Sequence, residues 1–268
     1  MTSTAIGFIG TGLIGEPMVE QLLAAGRPTT VYARRAEVGD RLAHRGAVSA
    51  SRPADLAAAP IVLACLFSDG QVLEVCPPII AAMRPGSVFI SHTTGSPVTT
   101  RRLAELALGS GVSIVEAPFS GNAAAIRRRD LTVLLAGEAD GVEIAADVVA
   151  AYASTVLRTG GLGTALAAKL LNNALFAACS QLTLTAIEAG RTLGLDENRL
   201  LEVLAVSSGG STAGRYIADS PQDSRAYSAR LPRYLSKDLA SVRQVAADLG
   251  VDIGDLLAAA ERGPLDLD

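Results

Sequence analysis

Tryptophan is absent from the 268 residues, aromatic side chains make up only 4%, and there are just two histidines and three cysteines. A composition that is 49% hydrophobic yet so poor in aromatics does not suggest a β-sandwich; with many Ala, Leu, Val and Gly it favours helices packed on a parallel sheet. Cys65, Cys76 and Cys179 are odd in number, widely separated and without the paired spacing of metal or redox motifs, so they are expected to be reduced and structural. His44 and His92 fall in no ligand cluster with cysteine or carboxylate, and no metal is expected. A long basic run is also missing. The 27 acidic residues outnumber the 23 basic ones, which argues against a nucleic-acid partner. The N-terminus lacks the basic start and small-residue cleavage site of a signal peptide, so a cytoplasmic location is expected. No apolar run reaches the roughly 18 residues that span a bilayer, because even Leu170 to Ala189 contains Asn172, Asn173, Gln181 and Glu188. A soluble protein with no membrane partner follows as the expectation.

What is present is order. The first half alternates short apolar runs with helical patterns, the mark of successive βαβ units feeding a doubly wound parallel sheet. Strands are predicted at Ala5–Ile9, Thr29–Tyr32, Ile61–Leu66, Ser87–Ser91, Ser113–Glu116 and Leu131–Ala136, with helices such as Glu16–Ala25 and Val98–Leu108 between them. After Thr159-Gly160-Gly161 the strand-like runs stop and a long helix is predicted from about Thr164 to Arg191. The fold class is therefore α/β, a Rossmann sheet over residues 1–160 followed by an all-α domain over 161–268. Asp196 reads as the N-cap of a further helix, flanked by Leu195 and Leu200 as a hydrophobic staple and ended by Ser207-Ser208-Gly209-Gly210; another helix is expected near Ser236. Residues 209–228, rich in Ser, Gly and Asp, read as a mobile loop.

Gly10-Thr11-Gly12-Leu13-Ile14-Gly15 follows a predicted strand and opens a predicted helix. A dinucleotide pyrophosphate needs that arrangement: a tight turn, close backbone approach and free helix amides. An NAD-selective site would place an acid near the end of the second strand to hold the ribose hydroxyls; here that strand ends Tyr32-Ala33-Arg34-Arg35. Two guanidinium groups suit a 2′-phosphate, so NADP(H) is expected over NAD(H).

Five segments, GFIGTGLIGEPM at 7–18, TTGSPVTTRRLAE at 93–105, EAPFSGN at 116–122, GGLGTALAAKLLNN at 160–173 and KDLAS at 237–241, together resemble the β-hydroxyacid dehydrogenase family over nearly the whole chain. Its members include 3-hydroxyisobutyrate dehydrogenases, tartronate semialdehyde reductases and glyoxylate or succinic semialdehyde reductases. The resemblance implies that Ser120, Gly121 and Asn122 hold a substrate carboxylate, that Lys169 is the catalytic acid or base, and that Asn173 assists. It further implies that Thr94 sits between nicotinamide and substrate, Lys237 near the cofactor, and Asp238 near the active site. It also implies a homodimer or homotetramer acting on a small hydroxy acid or semialdehyde. Chemistry supports the central pair: Lys169 and Asn173 are four residues apart, share one helix face and can reach a single substrate oxygen. Partial burial favours the neutral amine, which suits proton exchange as hydride moves.

The chain also departs from the family. Asn122 stands where a second glycine is usual, adding a side-chain donor to the loop; Ser91 stands where an acid is common, and His92 after it reads as a structural loop histidine rather than the proton donor, with titration near the site as the alternative. Arg230 replaces an aromatic pocket residue and suits a second anionic group on the substrate. The chain ends at Asp268 after Arg262-Gly263-Pro264, where the family usually continues through a fuller last helix, so part of the cleft or subunit contact is expected to differ. Two rival functions stay open: an NADPH-dependent imine reductase, disfavoured by Lys169, and a non-catalytic nucleotide-binding module, disfavoured by Lys169 with Ser120-Gly121. A serine hydrolase is excluded because Ser120 lacks the glycine two residues before it that a nucleophile elbow uses.

Overall fold

The computed structural model describes residues 4–267, and the chain folds as two compact units divided between Lys169 and Leu170. That division lies inside one long helix. The pattern change at residues 160 and 161 comes earlier because it marks where strands stop, whereas the helix that follows runs on unbroken from the first unit into the second.

The first unit is built from β1 (Ile6–Ile9), α1 (Gly15–Ala24), β2 (Thr29–Tyr32), α2 (Ala36–His44), β3 (Val48–Ser49), a 3₁₀ turn at Pro53–Ala58 and β4 (Ile61–Ala64). It continues through α3 (Asp69–Ala82), β5 (Val88–Ser91), α4 (Pro97–Ala107), β6 (Ser113–Glu116), β7 (Phe119–Ser120), α5 (Ala123–Arg127), β8 (Leu131–Ala136), α6 (Ala139–Val149) and β9 (Ala153–Gly160). The strand order is β3-β2-β1-β4-β5-β6-β8-β7, with β9 beside β8. Strands β3 through β6 in that order pair in parallel, which is the doubly wound order with its switch point between β1 and β4. All six predicted strands are present. The far end departs from the prediction: β8 runs antiparallel to β6 and β7. Strands β3 and β7 have two residues each, too short for a periodic pattern, and β9 is too exposed along its length to show one.

Strands β1, β4 and β5 are buried at every position, because helices cover both faces and strand side chains alternate between them. Ile6, Phe8, Leu63 and Ile90 pack on one side with Met18, Leu22 and Leu42. Ile9, Val62, Ala64 and Phe89 pack on the other with Val72, Ile79 and Leu103.

Within this apolar sheet His92, just past β5, is buried against the hydroxyl of Tyr152. Its Nδ1 lies 2.6 Å from the Ala117 carbonyl oxygen and its Nε2 2.8 Å from the Tyr152 Oη. A carbonyl can only accept, so Nδ1 carries the proton and the tyrosine donates to Nε2. Burial holds the imidazole down at about 4, so it is neutral at pH 7 and serves as a structural histidine, not one that titrates near the site.

The second unit holds the rest of α7 (Thr164–Thr192), then α8 (Glu197–Val206), α9 (Thr212–Ala218), α10 (Ser224–Ser228), α11 (Pro232–Leu249) and α12 (Gly254–Glu261). Asp196 caps α8 as expected, accepting from the Arg199 amide. Residues 209–228 are not one loop but contain α9 and α10, because Ser211 and Asp223 serve as N-caps, accepting from the Gly214 and Ala226 amides. By length and composition α7 is apolar enough to cross a membrane, which the sequence expectation had excluded. Half of its most apolar window is buried within the protein: Leu170, Ala174, Ala178, Leu184 and Ile187 form a core with Leu201, Leu239 and Leu265. Buried Gln181 of α7 ties down the C-terminal segment, donating to the Ala260 and Leu265 carbonyls and accepting from the Leu265 amide.

The buried His92–Tyr152 pair gives two expected outcomes. Tyr152→Phe leaves Nε2 without its donor and should cost about 1–3 kcal/mol at pH 7, read by urea denaturation; an unchanged midpoint contradicts the pairing. In the unfolded chain His92 binds its proton near 6.5, in the folded chain only near 4. The unfolded state therefore binds more protons between those values, and stability falls as pH drops through that window. Between pH 6.5 and 5 this histidine should remove roughly 2 kcal/mol, and His92→Gln should lack that component of the slope.

Candidate active site

The glycine loop leaves the carboxyl end of β1 at the sheet's switch point. Gly10 has φ +97°, and a Cβ there would lie 2.1 Å from the Cys65 carbonyl oxygen, so only glycine allows the loop to pass β4. The Gly12 amide donates to the Gly10 carbonyl oxygen, closing the turn before Ile14 and Gly15 start α1. Thr11 is buried, whereas Leu13 at the tip is 77% exposed. A Cβ at Gly12 would meet nothing within 4 Å, so open space lies over the helix N-terminus where a pyrophosphate would rest. The backbone of this loop fits a dinucleotide. Arg34 and Arg35 follow β2, the neighbour of β1; both are exposed, and Arg35 is the residue before α2.

Strands β5 and β6 are neighbours, with Ser91 opposite Glu116. The loop after β5 carries half-buried Thr94. It is tied to the β4–α3 connection twice: the Leu66 amide donates to the Thr93 hydroxyl at 3.2 Å, and the Ser96 amide to the Asp69 carboxylate at 3.0 Å. The segment after β6 carries Ser120, the last residue of β7, then Gly121 and Asn122, all exposed. Gly121 has φ +132°, and a Cβ there would crowd Leu131 Cδ1 at 2.8 Å. Asn122 does more than the donor role expected of it. Its Oδ1 caps α5, accepting from the Ala124 and Ala125 amides, both at 3.0 Å. That fixes the side chain and leaves Nδ2 as the part that could meet a carboxylate. The glycine loop, Arg34, Thr94 and Ser120 thus all leave the carboxyl ends of strands, where α/β sheets bind ligands.

Lys169 lies in the second turn of α7 with 9% of its surface exposed. Unassigned by the sequence pattern, Glu116 is what meets the start of that helix. It is 0% exposed; its Oε1 accepts from the Gly163 amide at 2.8 Å and its Oε2 from the Leu166 amide at 3.3 Å. Burial pushes the Glu116 carboxyl above the ordinary range, partly offset by the Gly163 and Leu166 amides, the Thr100 hydroxyl and the Ala165 amide. The sign available in the sequence was an acid at a strand end, the first residue of EAPFSGN. Neither Asp69 nor Tyr152 showed a comparable sign.

In the second unit Asn173, one turn beyond Lys169 on α7, donates from Nδ2 to Asp238 Oδ2 at 2.7 Å, while its Oδ1 accepts from Asn172. Asp238 is 3.7 Å from the Lys237 ammonium within α11. Lys237, Asp238 and Asn173 are therefore gathered within the second unit. Arg230 instead lies over the Tyr227 ring, its guanidinium carbon 5.8 Å from the centroid.

Comparison with known proteins agrees with this arrangement. Residues 5–161 match the family model of the NAD binding domain of 6-phosphogluconate dehydrogenase, and residues 163–262 that of the NAD-binding domain of NADP-dependent 3-hydroxyisobutyrate dehydrogenase. Human mitochondrial 3-hydroxyisobutyrate dehydrogenase is 31% identical over 212 residues, a match spanning 78% of this chain but 63% of the human protein. L-threonate dehydrogenase of Cupriavidus necator is 31% identical over 214 residues, 78% of this chain and 72% of that protein. The structure of Mycobacterium tuberculosis 3-hydroxyisobutyrate dehydrogenase with L-serine superposes with a TM-score of 0.88 at 24% identity, covering 97% of this chain and 92% of that one. With its nucleotide loop at the sheet's switch point and matches to both halves, the chain belongs to the β-hydroxyacid dehydrogenase family.

Proposed function

We propose that the chain is an NADP(H)-dependent oxidoreductase that interconverts a small hydroxy acid and its semialdehyde or keto form, with Lys169 exchanging the hydroxyl proton. The observation that carries this is Lys169 itself, buried on an Ala- and Leu-rich helix one turn before Asn173, whose amide is oriented by Asp238. Gly10, Thr11, Gly12, Leu13, Ile14 and Gly15 would hold the pyrophosphate by backbone amides, Arg34 and Arg35 the 2′-phosphate, and Thr94 and Lys237 would flank the nicotinamide. When bound, the nicotinamide accepts or supplies the hydride.

The protein's own residues do the rest. In the oxidising direction the hydroxyl proton passes to the neutral amine of Lys169 while the carbinol carbon gives up its hydride, leaving a carbonyl. In the reducing direction the Lys169 ammonium returns that proton to the forming alkoxide. Asn173 Nδ2 donates to the same oxygen, and Asp238 keeps the amide turned the right way round. Ser120 and the loop amides at Gly121 receive the substrate carboxylate, and Arg230 takes a second anionic group where the substrate has one. As a homodimer or homotetramer the chain would cover Leu171, Leu175 and Leu182, which expose an apolar stripe along α7.

Three outcomes check this. Lys169→Ala should lower kcat by about 10²–10⁴-fold, followed at the nicotinamide absorbance band with 3-hydroxyisobutyrate, L-serine and L-threonate as probes; retained turnover contradicts the proton role. Arg34→Ala and Arg35→Ala should each weaken NADPH binding by about 10- to 100-fold while leaving NADH unchanged, measured by fluorescence titration; equal losses for both nucleotides contradict the 2′-phosphate assignment. Gly12→Ala should keep the wild-type unfolding midpoint, since the space around it is open, yet weaken both nucleotides, and undiminished binding would remove the loop from the site.

A further inference from the structure

The helix that carries Lys169 has its first amides held by a side chain from a distant strand. Six of the other helices start with a local side-chain cap: Ser68, Ser96, Asn122, Asp196, Ser211 and Asp223 each accept from an amide two or three residues ahead. Such caps supply about 0.5–2 kcal/mol and need no distant partner. At α7 the amides of Gly163 and Leu166 instead donate to Glu116, 47 and 50 residues earlier. Thr164, which could have capped locally, turns its hydroxyl to the Gly161 carbonyl and to Thr159.

Glu116 is fully buried and burial raises its pKa, so the folded state binds its proton more tightly than the unfolded state does. Stability contributed by the protonated form is therefore lost as pH rises from the ordinary carboxylate range through the raised value. A buried carboxyl brought from another strand to a helix start is not the local solution that the capped helices use. Its geometry supplies another account. The carboxylate stands at the end of β6, immediately before the loop of Ser120 and Gly121, in register with the strand that leads to Thr94. Its anchor at Leu166 is three residues, less than one turn, before Lys169, so the two lie on one side of the helix.

We infer that Glu116 is a positioning residue: by clamping the first-turn amides of α7 to the end of β6, it sets the register from which Lys169 exchanges its proton. The inference rests on the proposed role of Lys169. Gln at this position keeps the shape but offers one acceptor oxygen and no charge, so it breaks half the clamp while relieving the buried charge.

The test compares wild type, Glu116→Gln, Glu116→Asp and Lys169→Ala, using NADP⁺ with 3-hydroxyisobutyrate, L-serine and L-threonate as probes, and reading amide hydrogen exchange over residues 163–169. Glu116→Gln should keep the unfolding midpoint close to wild type. Its kcat should fall tenfold or more with the KM for NADP⁺ within about twofold, and exchange at 163–169 should quicken. Glu116→Asp, which restores the charge, should recover much of the kcat, and the acid limb that Glu116 gives the wild-type kcat profile should vanish in Glu116→Gln. Unchanged kcat, unchanged exchange, or a kcat loss that merely follows the unfolding midpoint overturns the inference. Should Gln prevent folding, Thr100→Val, which removes one hydroxyl from the carboxylate, reads the same quantities with a smaller effect. Full activity in Lys169→Ala, or no turnover of any probe by wild type, refutes the role of Lys169 and this inference with it; loss in Lys169→Ala beside full activity in Glu116→Gln refutes the inference alone.

Discussion

The Glu116 carboxylate against the first amides of α7 is the interaction on which the site depends. A parallel sheet positions loops well at its carboxyl edge, but a lysine on a separate helix needs its own attachment. Here the attachment is charge-assisted and buried, with one carboxylate oxygen for Gly163 and the other for Leu166. In a low-dielectric setting such bonds are strong when complete and costly when broken, which makes the geometry nearly all-or-none. The N-terminal end of α7 carries the helix's positive partial charge, so the same carboxylate also meets the field it is suited to.

Around that anchor the first unit is an apolar frame with few polar exceptions, each satisfied. His92 and Tyr152 tie the end of β5 to the Ala117 carbonyl and thus to the loop of Ser120. Asp69 and Thr93 tie the Thr94 loop to the connection after β4. These contacts restrain the backbone on either side of Thr94 and before Ser120, as preorganised sites require. In the second unit, Asp238 does for Asn173 what Tyr152 does for His92: it selects one orientation of a side chain that has two.

Much of this was legible from the residues. The periodicity gave β1, β2, β4, β5, β6, β8 and α7, because buried strands and long apolar helices imprint their pattern on hydrophobicity. The glycine motif drew attention to Gly10, whose close approach to Cys65 requires glycine, and family resemblance drew attention to Gly121, Lys169 and Asn173. What escaped was of another kind. Two-residue strands have no period, and β9 is too exposed to show one. Ser211 and Asp223 looked like loop formers when they were helix caps, since the same side-chain oxygen serves both roles. Asn122 was read as a ligand donor and proved to be a cap as well. Glu116 and Tyr152 act through partners 50 and 60 residues away, and nothing local distinguishes such residues from an ordinary acid or a core aromatic.

The central claim is that hydride passes directly between a hydroxy acid and the nicotinamide while Lys169 takes the hydroxyl proton. The most direct measurement uses 3-hydroxyisobutyrate deuterated at its carbinol carbon, L-serine and L-threonate labelled likewise, with NADP⁺, followed by mass spectrometry of the reduced nucleotide. Deuterium carried into the nucleotide by wild type, and carried about 10²–10⁴-fold more slowly with Lys169→Ala, is the predicted result. Reduced nucleotide without label, or label transferred equally well by Lys169→Ala, would contradict the account.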